Sequence, residues 1–276
     1  MPVLLEPEAY PSVSSFFEEP ITYHLAVPSV LAGTLPGRVY ADNANHPTAA
    51  ILIPANQYRV YVGGEPSLRL LADVIDLLYQ PSRAQHYWFM THYPSDAWQS
   101  TIEQALQGLG YSVSLRQYYR LAELPSPLAL PLPDAITLAP ISQAIVEDAH
   151  LANTDLLIEE IHSENPSLEY FFRERFGFCA LDGRQLVGWC LAEYHYQSRY
   201  ELGIETLEAY QRQGIATHLA SAVIQRAFAE GATEIGWDCW ASNAASIATA
   251  LKLGFQKALD YPVIVCDSRL APTSPV

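Results

Sequence analysis

Ten consecutive residues near the middle of the chain, Leu124-Pro125-Ser126-Pro127-Leu128-Ala129-Leu130-Pro131-Leu132-Pro133, carry four prolines. Proline has no amide proton and holds φ near one value, so this stretch can continue neither a helix nor a central strand. An extended connector is expected. It divides the 276 residues into an N-terminal domain 1–124, a linker 125–133 and a C-terminal domain 134–276. With 50% hydrophobic and 16% charged residues, the chain has the material for sizeable cores and is not disordered.

The formal net charge of −15 bears on partners. Nucleic-acid backbones need clustered Lys and Arg, so they are excluded as ligands, whereas a cationic amine is compatible. The opening residues Met1-Pro2-Val3-Leu4-Leu5-Glu6-Pro7 lack a basic region and a long apolar run, unlike a secretory signal. No stretch reaches the roughly 18 apolar residues of a membrane span, and the expectation is a cytoplasmic protein without membrane attachment. Cys179, Cys190, Cys239 and Cys266 are widely spaced and read as buried thiols; no histidine spacing suits a metal, and none is expected.

In the first half, short helices broken by prolines are expected up to about Ser29, then strands at 38–40, 49–53 and 58–62, the last closed by Gly63-Gly64. Leu68, Leu71, Ile75 and Leu78 recur at helical spacing, and Pro81 stops that helix. A strand at 87–90 and a helix over 97–109 follow. In the second half, a strand at 135–138 precedes helical pieces near 143–153 and 156–163, and the Phe171-Phe172 pair beyond them is expected to pack a helix on the sheet. The run 178–181, the turn Asp182-Gly183 and the run 186–191 form a hairpin signal. Strands at 200–207 and 235–239 alternate with helices over 215–230 and 244–253, and 263–265 is the last strand. This order implies an α/β fold with a mixed sheet. The helix ending Ala-Leu-Gln-Gly-Leu-Gly-Tyr at Tyr111 echoes the one ending Ala-Leu-Lys-Leu-Gly-Phe at Phe255, as a decayed duplication would.

Chemistry concentrates in Gln211-Arg212-Gln213-Gly214-Ile215-Ala216, which follows a strand and opens a helix. Amides at such a junction point one way, and the helix dipole adds partial positive charge, so a diphosphate fits with few basic side chains. Gly214 permits close approach to phosphate oxygens. The dinucleotide and nucleoside-triphosphate signatures, G-x-G-x-x-G and G-x-x-x-x-G-K-[ST], are both missing here.

The Gln/Arg-x-x-Gly-x-Gly/Ala pattern in this position resembles the acyl-CoA-binding turn of the GNAT superfamily of N-acetyltransferases. Asn243-Ala244-Ala245-Ser246, continuing to Lys252-Leu253-Gly254-Phe255, resembles its "Asn … Leu-Gly-Phe" helix. The resemblance covers about 134–267, and the extra N-terminal half resembles a two-domain bacterial branch that includes antibiotic self-resistance acetyltransferases. It implies a GNAT-type mixed sheet flanked by helices in the C-terminal half, and an N-terminal α/β domain that is a degenerate repeat. The implied activity is transfer of an acetyl group from acetyl-CoA to a small-molecule amine. Backbone groups of Arg212, Gln213, Gly214, Ile215, Ala216 and Thr217 would hold the pyrophosphate, with Gln211 opening the turn. Thr206 and Leu207 would pair with the pantetheine amides, and Asn243 and Ser246 would contact the cofactor arm; Asn243 equally suits an N-cap of its own helix.

Acyl transfer needs a deprotonated amine aligned with a thioester carbon, and a general base to take the amine proton. Glu205 is favoured as base, with Glu201 next and Glu193 third; Glu201 and Glu205 share a face of an unbroken strand, and a bulge there, common in the family, would shift that register. Many relatives place an acidic Tyr four residues before the helix-ending Gly; here that position is Ala250, with Tyr194, Tyr196 and Tyr261 as substitutes from other strands. This departure leaves a non-catalytic acyl-CoA-binding protein as the alternative. The N-terminal half reads either as the wall of a substrate cleft or as an interaction module that forms a homodimer.

Overall fold

A computed structural model describes residues 1–18, 23–55, 58–80, 86–126 and 131–272. Along the chain run β1 (Val3–Leu4), α1 (Ala26–Leu31), β2 (Gly37–Ala41), β3 (Ala49–Pro54), β4 (Arg59–Gly64), α2 (Leu68–Tyr79), β5 (Trp88–His92), α3 (Asp96–Ala105) and β6 (Tyr111–Leu121). There follow β7 (Ile136–Pro140), α4 (Gln143–Val146), α5 (Thr154–Glu164), α6 (Leu168–Glu174), β8 (Gly177–Asp182), β9 (Gln185–Tyr196) and β10 (Arg199–Thr206). The last are α7 (Ile215–Ala229), β11 (Glu234–Trp240), α8 (Ala244–Lys252) and β12 (Gln256–Asp267). Among these residues no helix is long and apolar enough to cross a membrane. The four cysteines are free and buried.

Two compact units emerge, 1–116 with 261–276, and 117–260. The division falls inside β6 and β12, whereas the sequence boundary lay at 124/134. Strand pairing explains this: residues 263–267 of β12 pair antiparallel with β5, so the end of the last strand belongs to unit 1. Residues 127–130 of the proline-rich linker, and Pro81, lie outside the described residues. The expected final strand was only its apolar end, because the first half of β12 is mostly exposed and Pro262 interrupts the pattern.

Unit 1 pairs β1 to β4 antiparallel in chain order and then sets β5 parallel to β4, with α2 as the crossover between them. Every residue of β3 is buried. Helix α2 buries Leu70, Leu71, Val74 and Ile75, and Ser67 caps it by accepting from the Leu70 amide.

Unit 2 repeats this plan. Strands β7, β8, β9 and β10 form an antiparallel meander, and β11 returns parallel to β10 after α7. On one face, Leu219, Val223, Ile224 and Ala227 of α7 pack on Val187, Cys190, Leu202, Ile235 and Trp237. On the other, Leu157, Ile161 and Phe171 of α5 and α6 pack on Leu186, Trp189 and Leu191, as expected of the Phe171-Phe172 pair. The sheet is thereby sandwiched between helices.

Candidate active-site groove

Register between β10 and β11 runs from Arg199↔Glu234 to Leu202↔Trp237 and stops there, although β10 continues to Thr206 and β11 to Trp240. Past this vertex the two strands have no mutual pairing. A cavity of about 440 Å³ opens there, lined by Ile204, Glu205 and Thr206 of β10, the start of α7, Trp237, and one face of α8. Leu207 turns its amide to Val187 O on the β9 side, at 2.9 Å. Strand alternation therefore turns the main-chain groups of Thr206 and Ile204 to the β11 side, into the groove. Sequence reasoning placed the strand-like edge at Thr206 and Leu207; the structure places it at Ile204 and Thr206, while Leu207 packs among the α5–α6 core.

The turn before α7 is set by two left-handed residues, Arg212 (φ 62°) and Gly214 (φ 82°). Gly214 occupies the N-cap position and supplies no side chain to cap it. The first amide to bond back is that of His218, to Gly214 O at 3.2 Å. Among the described residues the amides from Arg212 to Thr217 take no acceptor, as the first turn of an uncapped helix requires. Open donors and the positive end of a 15-residue helix dipole face the same cavity. Gln211 braces the turn: its Nε2 donates to Thr206 O at 3.0 Å. Gln213 does not line the groove; its side chain donates to Ala209 O at 3.3 Å on the exposed side.

Helix α8 forms the far wall through Ala245, Ser246, Ala248, Thr249 and Lys252, which recur on one helical face. Asn243 is the N-cap that the sequence suits it for, its Oδ1 accepting from the Ser246 amide at 3.0 Å, and the residue also lines the groove. Ser246 Oγ accepts from Trp237 Nε1 at 3.0 Å, which fixes the indole at the vertex. Tyr210 and Thr249 are lining residues that motif reading missed. Tyr210 sits in a short 3-10 turn before the turn at 211–214, and its hydroxyl donates to Asp182 Oδ2 at 2.9 Å. Only its spacing from the Gln211 motif could have signalled it.

The carboxylates separate by position. Glu205 lines the groove, and burial there raises its proton affinity above the ordinary carboxylate value, partly opposed by the Thr206 amide. Glu201 is buried and lies where β10 and β11 are still paired, opposite Gly236; it does not line the groove. The register shift between Glu201 and Leu202 comes from an extra residue on β9: Tyr194 pairs with Glu201 and Ala192 with Leu202, leaving Glu193 as the bulge. Strand β10 is thus unbroken, and Glu201, Gly203 and Glu205 share one face as the simple alternation predicts. Ala250 is fully buried in the α7 core, so α8 directs no phenol from that position. Of the substitutes, Tyr194 is buried with its hydroxyl on the Glu164 carboxylate.

A family profile described as GNAT acetyltransferase matches residues 14–264. An uncharacterized N-acetyltransferase of Bacillus subtilis (strain 168), YdfB, is 28% identical over 263 residues, covering 94% of this chain and 96% of that protein. Among solved structures, a GCN5-related N-acetyltransferase-like protein from Streptococcus suis 89/1591 superposes with a TM-score of 0.72 at 20% identity, covering 94% of this chain and 98% of that one. A tandem GNAT protein from the clavulanic acid biosynthesis pathway gives 0.60 at 11% identity, covering 97% and 98%. The matched span takes in both units and the groove between β10 and β11, and the chain belongs to the GNAT acetyltransferase family.

Proposed function

We propose that this protein transfers an acetyl group from acetyl-CoA to the amine of a small molecule by direct attack, without a covalent enzyme intermediate. One observation carries the reading: the groove that opens where β10 and β11 part, with the unsatisfied amides 212–217 at its mouth. A diphosphate suits those amides, and an extended pantetheine arm would add to the Ile204–Thr206 edge as a strand does. Its amides would exchange with Gln211 Nε2 at Thr206 O.

These residues bind and align rather than react. Holding amine and thioester in near-attack geometry is the larger part of such a rate. Glu205, accessible from the groove and with raised proton affinity, is placed to pass the amine proton to solvent. Ser246 Oγ, already an acceptor from Trp237, keeps its own proton for donation along the arm.

The alternative is a protein that binds acyl-CoA without turnover, and one observation favours it: Ala250 leaves no phenol on α8 to protonate the departing thiolate. Calorimetry with CoA and a thiol-release assay with acetyl-CoA over a panel of putrescine, lysine and an aminoglycoside separate the two. Release above background supports the enzyme. Binding without release supports the alternative, and no binding of CoA removes both.

A further inference from the structure

Glu193 does something the strand pattern alone does not require. It is the extra residue of the β9 bulge, and its side chain lies across β10 on top of Gly203: a Cβ built on Gly203 would fall within the Glu193 carboxylate. The carboxyl can occupy that place only because residue 203 is glycine. Glu193 as a residue is 8% exposed.

The bulge is held from beneath. Arg175, itself buried, donates Nε to Glu193 O at 3.1 Å, Nη2 to Tyr170 Oη at 3.2 Å and Nη1 to Glu174 O at 3.1 Å. A guanidinium forced into the interior to satisfy two carbonyls and a phenol is costly unless the geometry it fixes matters. What it fixes is the main chain at Glu193.

The level along β10 decides the role. An arm added to the Ile204–Thr206 edge cannot pass Leu202, whose edge is taken by Trp237 of β11. Its reactive end therefore stops near Gly203. Glu205 lies two residues back toward the mouth, roughly 6.5–7 Å along the strand. Glu201 lies inside the paired region. The carboxylate level with the stopping point is that of Glu193, which does not itself line the groove but lies over Gly203, on the face of the sheet away from α7.

We propose that Glu193 is the immediate proton acceptor in the transfer, with Gly203 and Arg175 as its positioning residues, and with Glu205 as the outer station toward solvent; this rests on the acyltransferase reading above. In the step, the acceptor ammonium gives one proton to the Glu193 carboxylate and its nitrogen lone pair attacks the thioester carbon. The C–N bond forms, the C–S bond breaks with its electron pair going to sulfur, and the second nitrogen proton passes to the departing thiolate, leaving a neutral amide and the thiol of CoA.

The test is the isosteric Glu193→Gln, assayed with acetyl-CoA and the best amine of the panel above, beside Glu205→Gln and Glu193→Asp. Glu193→Gln is expected to lower kcat about 10²-fold or more, to remove the acidic limb of the kcat/KM profile, and to leave CoA affinity by calorimetry within about twofold. Glu193→Asp should keep the limb at reduced rate, and Glu205→Gln should keep it with a smaller loss. Gly203→Ala, which must displace the carboxylate, should resemble Glu193→Gln, and Arg175→Lys should lower kcat without raising the KM for acetyl-CoA. Turnover by Glu193→Gln within about threefold of the parent, with the limb intact, overturns the assignment and leaves the acyltransferase reading standing. If the parent binds CoA yet acetylates none of the amines, both fall.

Discussion

Unit 2 runs β10–α7–β11–α8 and leaves a groove of about 440 Å³ where its parallel strands part; unit 1 runs β4–α2–β5–α3 in the same order and fills the corresponding place with its own chain. Parallel register in unit 1 stops at Tyr61↔His92, as it stops at Leu202↔Trp237 in unit 2. Beyond that point β4 runs on to Gly64, whose carbonyl accepts from Trp98 Nε1 at 2.9 Å. Trp98 stands three residues after the Ser95 cap of α3, just as Ser246 stands three after the Asn243 cap of α8. A large indole thus fills and bonds where a small hydroxyl leaves room. The helix entrances differ in the same sense. Ser67 caps α2 and takes the Leu70 amide, whereas Gly214 caps nothing and leaves the first amides of α7 without a side-chain cap. One topology makes a core or a cleft according to whether its own side chains complete it.

The largest effect should come from breaking the filled side. Trp98 is fully buried, and Trp98→Ala removes its packing and orphans the Gly64 carbonyl. Unfolding in urea should show a loss of about 3–5 kcal/mol. CoA affinity should stay unchanged, since every residue lining the proposed CoA groove belongs to unit 2. A loss below about 1 kcal/mol would mean that the indole is not what closes unit 1.

Next in size is a pH effect peculiar to unit 1. Where unit 2 has Trp237 at the last parallel pair, unit 1 has His92, buried, stacked on Tyr61 at 4.6 Å, with neither ring nitrogen partnered among the described residues. Burial first, then His24, Arg59 and Arg116, hold its pKa well below the ordinary 6.5. The folded form keeps His92 neutral, while the unfolded chain takes up a proton once pH falls below about 6.5, so stability is full above that value and declines beneath it. The decline should be on the order of 1 kcal/mol between about pH 6.5 and pH 5. His92→Phe should flatten that slope; an unaltered acid slope would assign it to other groups.

The open side is sharpened by Gly214→Ala. No atom stands within 4 Å of a Cβ there, so the change tests only the left-handed backbone at φ +82°. Strain of about 1–2 kcal/mol should relax by moving the turn, and CoA affinity should fall roughly tenfold while unit 1 is untouched. Equal affinity with a lowered urea midpoint would show that the turn keeps its shape and that its amides are not the anchor.

How legible this was can be judged on particular residues. The helix over 215–230, ended by Gly231, and the hairpin signalled by Asp182-Gly183 declared themselves, because local propensity and final packing agree there, although the turn itself is Gly183-Arg184. The turn ahead of α7 was readable for the same reason: Gly214 and the following helix are local facts. The β9 bulge was not, since a one-residue surplus exists only relative to a partner strand, and Glu193 ranked below Glu205 on spacing alone. Nor was the edge at Ile204, because which way a main-chain amide points depends on Leu207 choosing Val187. The end of β12 in unit 1 is a long-range pairing behind an exposed first half, invisible to any local window. Trp98 and Ser246, which decide filled against open, occupy equivalent positions in echoing helices; the echo was visible, but not what each side chain would meet.

The smallest expected effect is the finest comparison of the two runs. Ser95 and Asn243 hold equivalent cap positions, accepting from the amides of Trp98 at 3.4 Å and Ser246 at 3.0 Å. Replacing either by alanine should cost about 1 kcal/mol in a urea titration, the ordinary price of an N-cap. Their consequences for ligand should diverge. Asn243 lines the groove and orders the first turn of α8, which carries Ser246 and with it the Trp237 indole, so Asn243→Ala should weaken CoA by about threefold beyond its stability cost. Ser95 supports a helix whose face is already closed by Trp98, so Ser95→Ala should leave CoA affinity unchanged. Matched stability losses with matched affinity losses would mean that the caps act on CoA only through global unfolding, and that the cleft owes nothing to local order at α8.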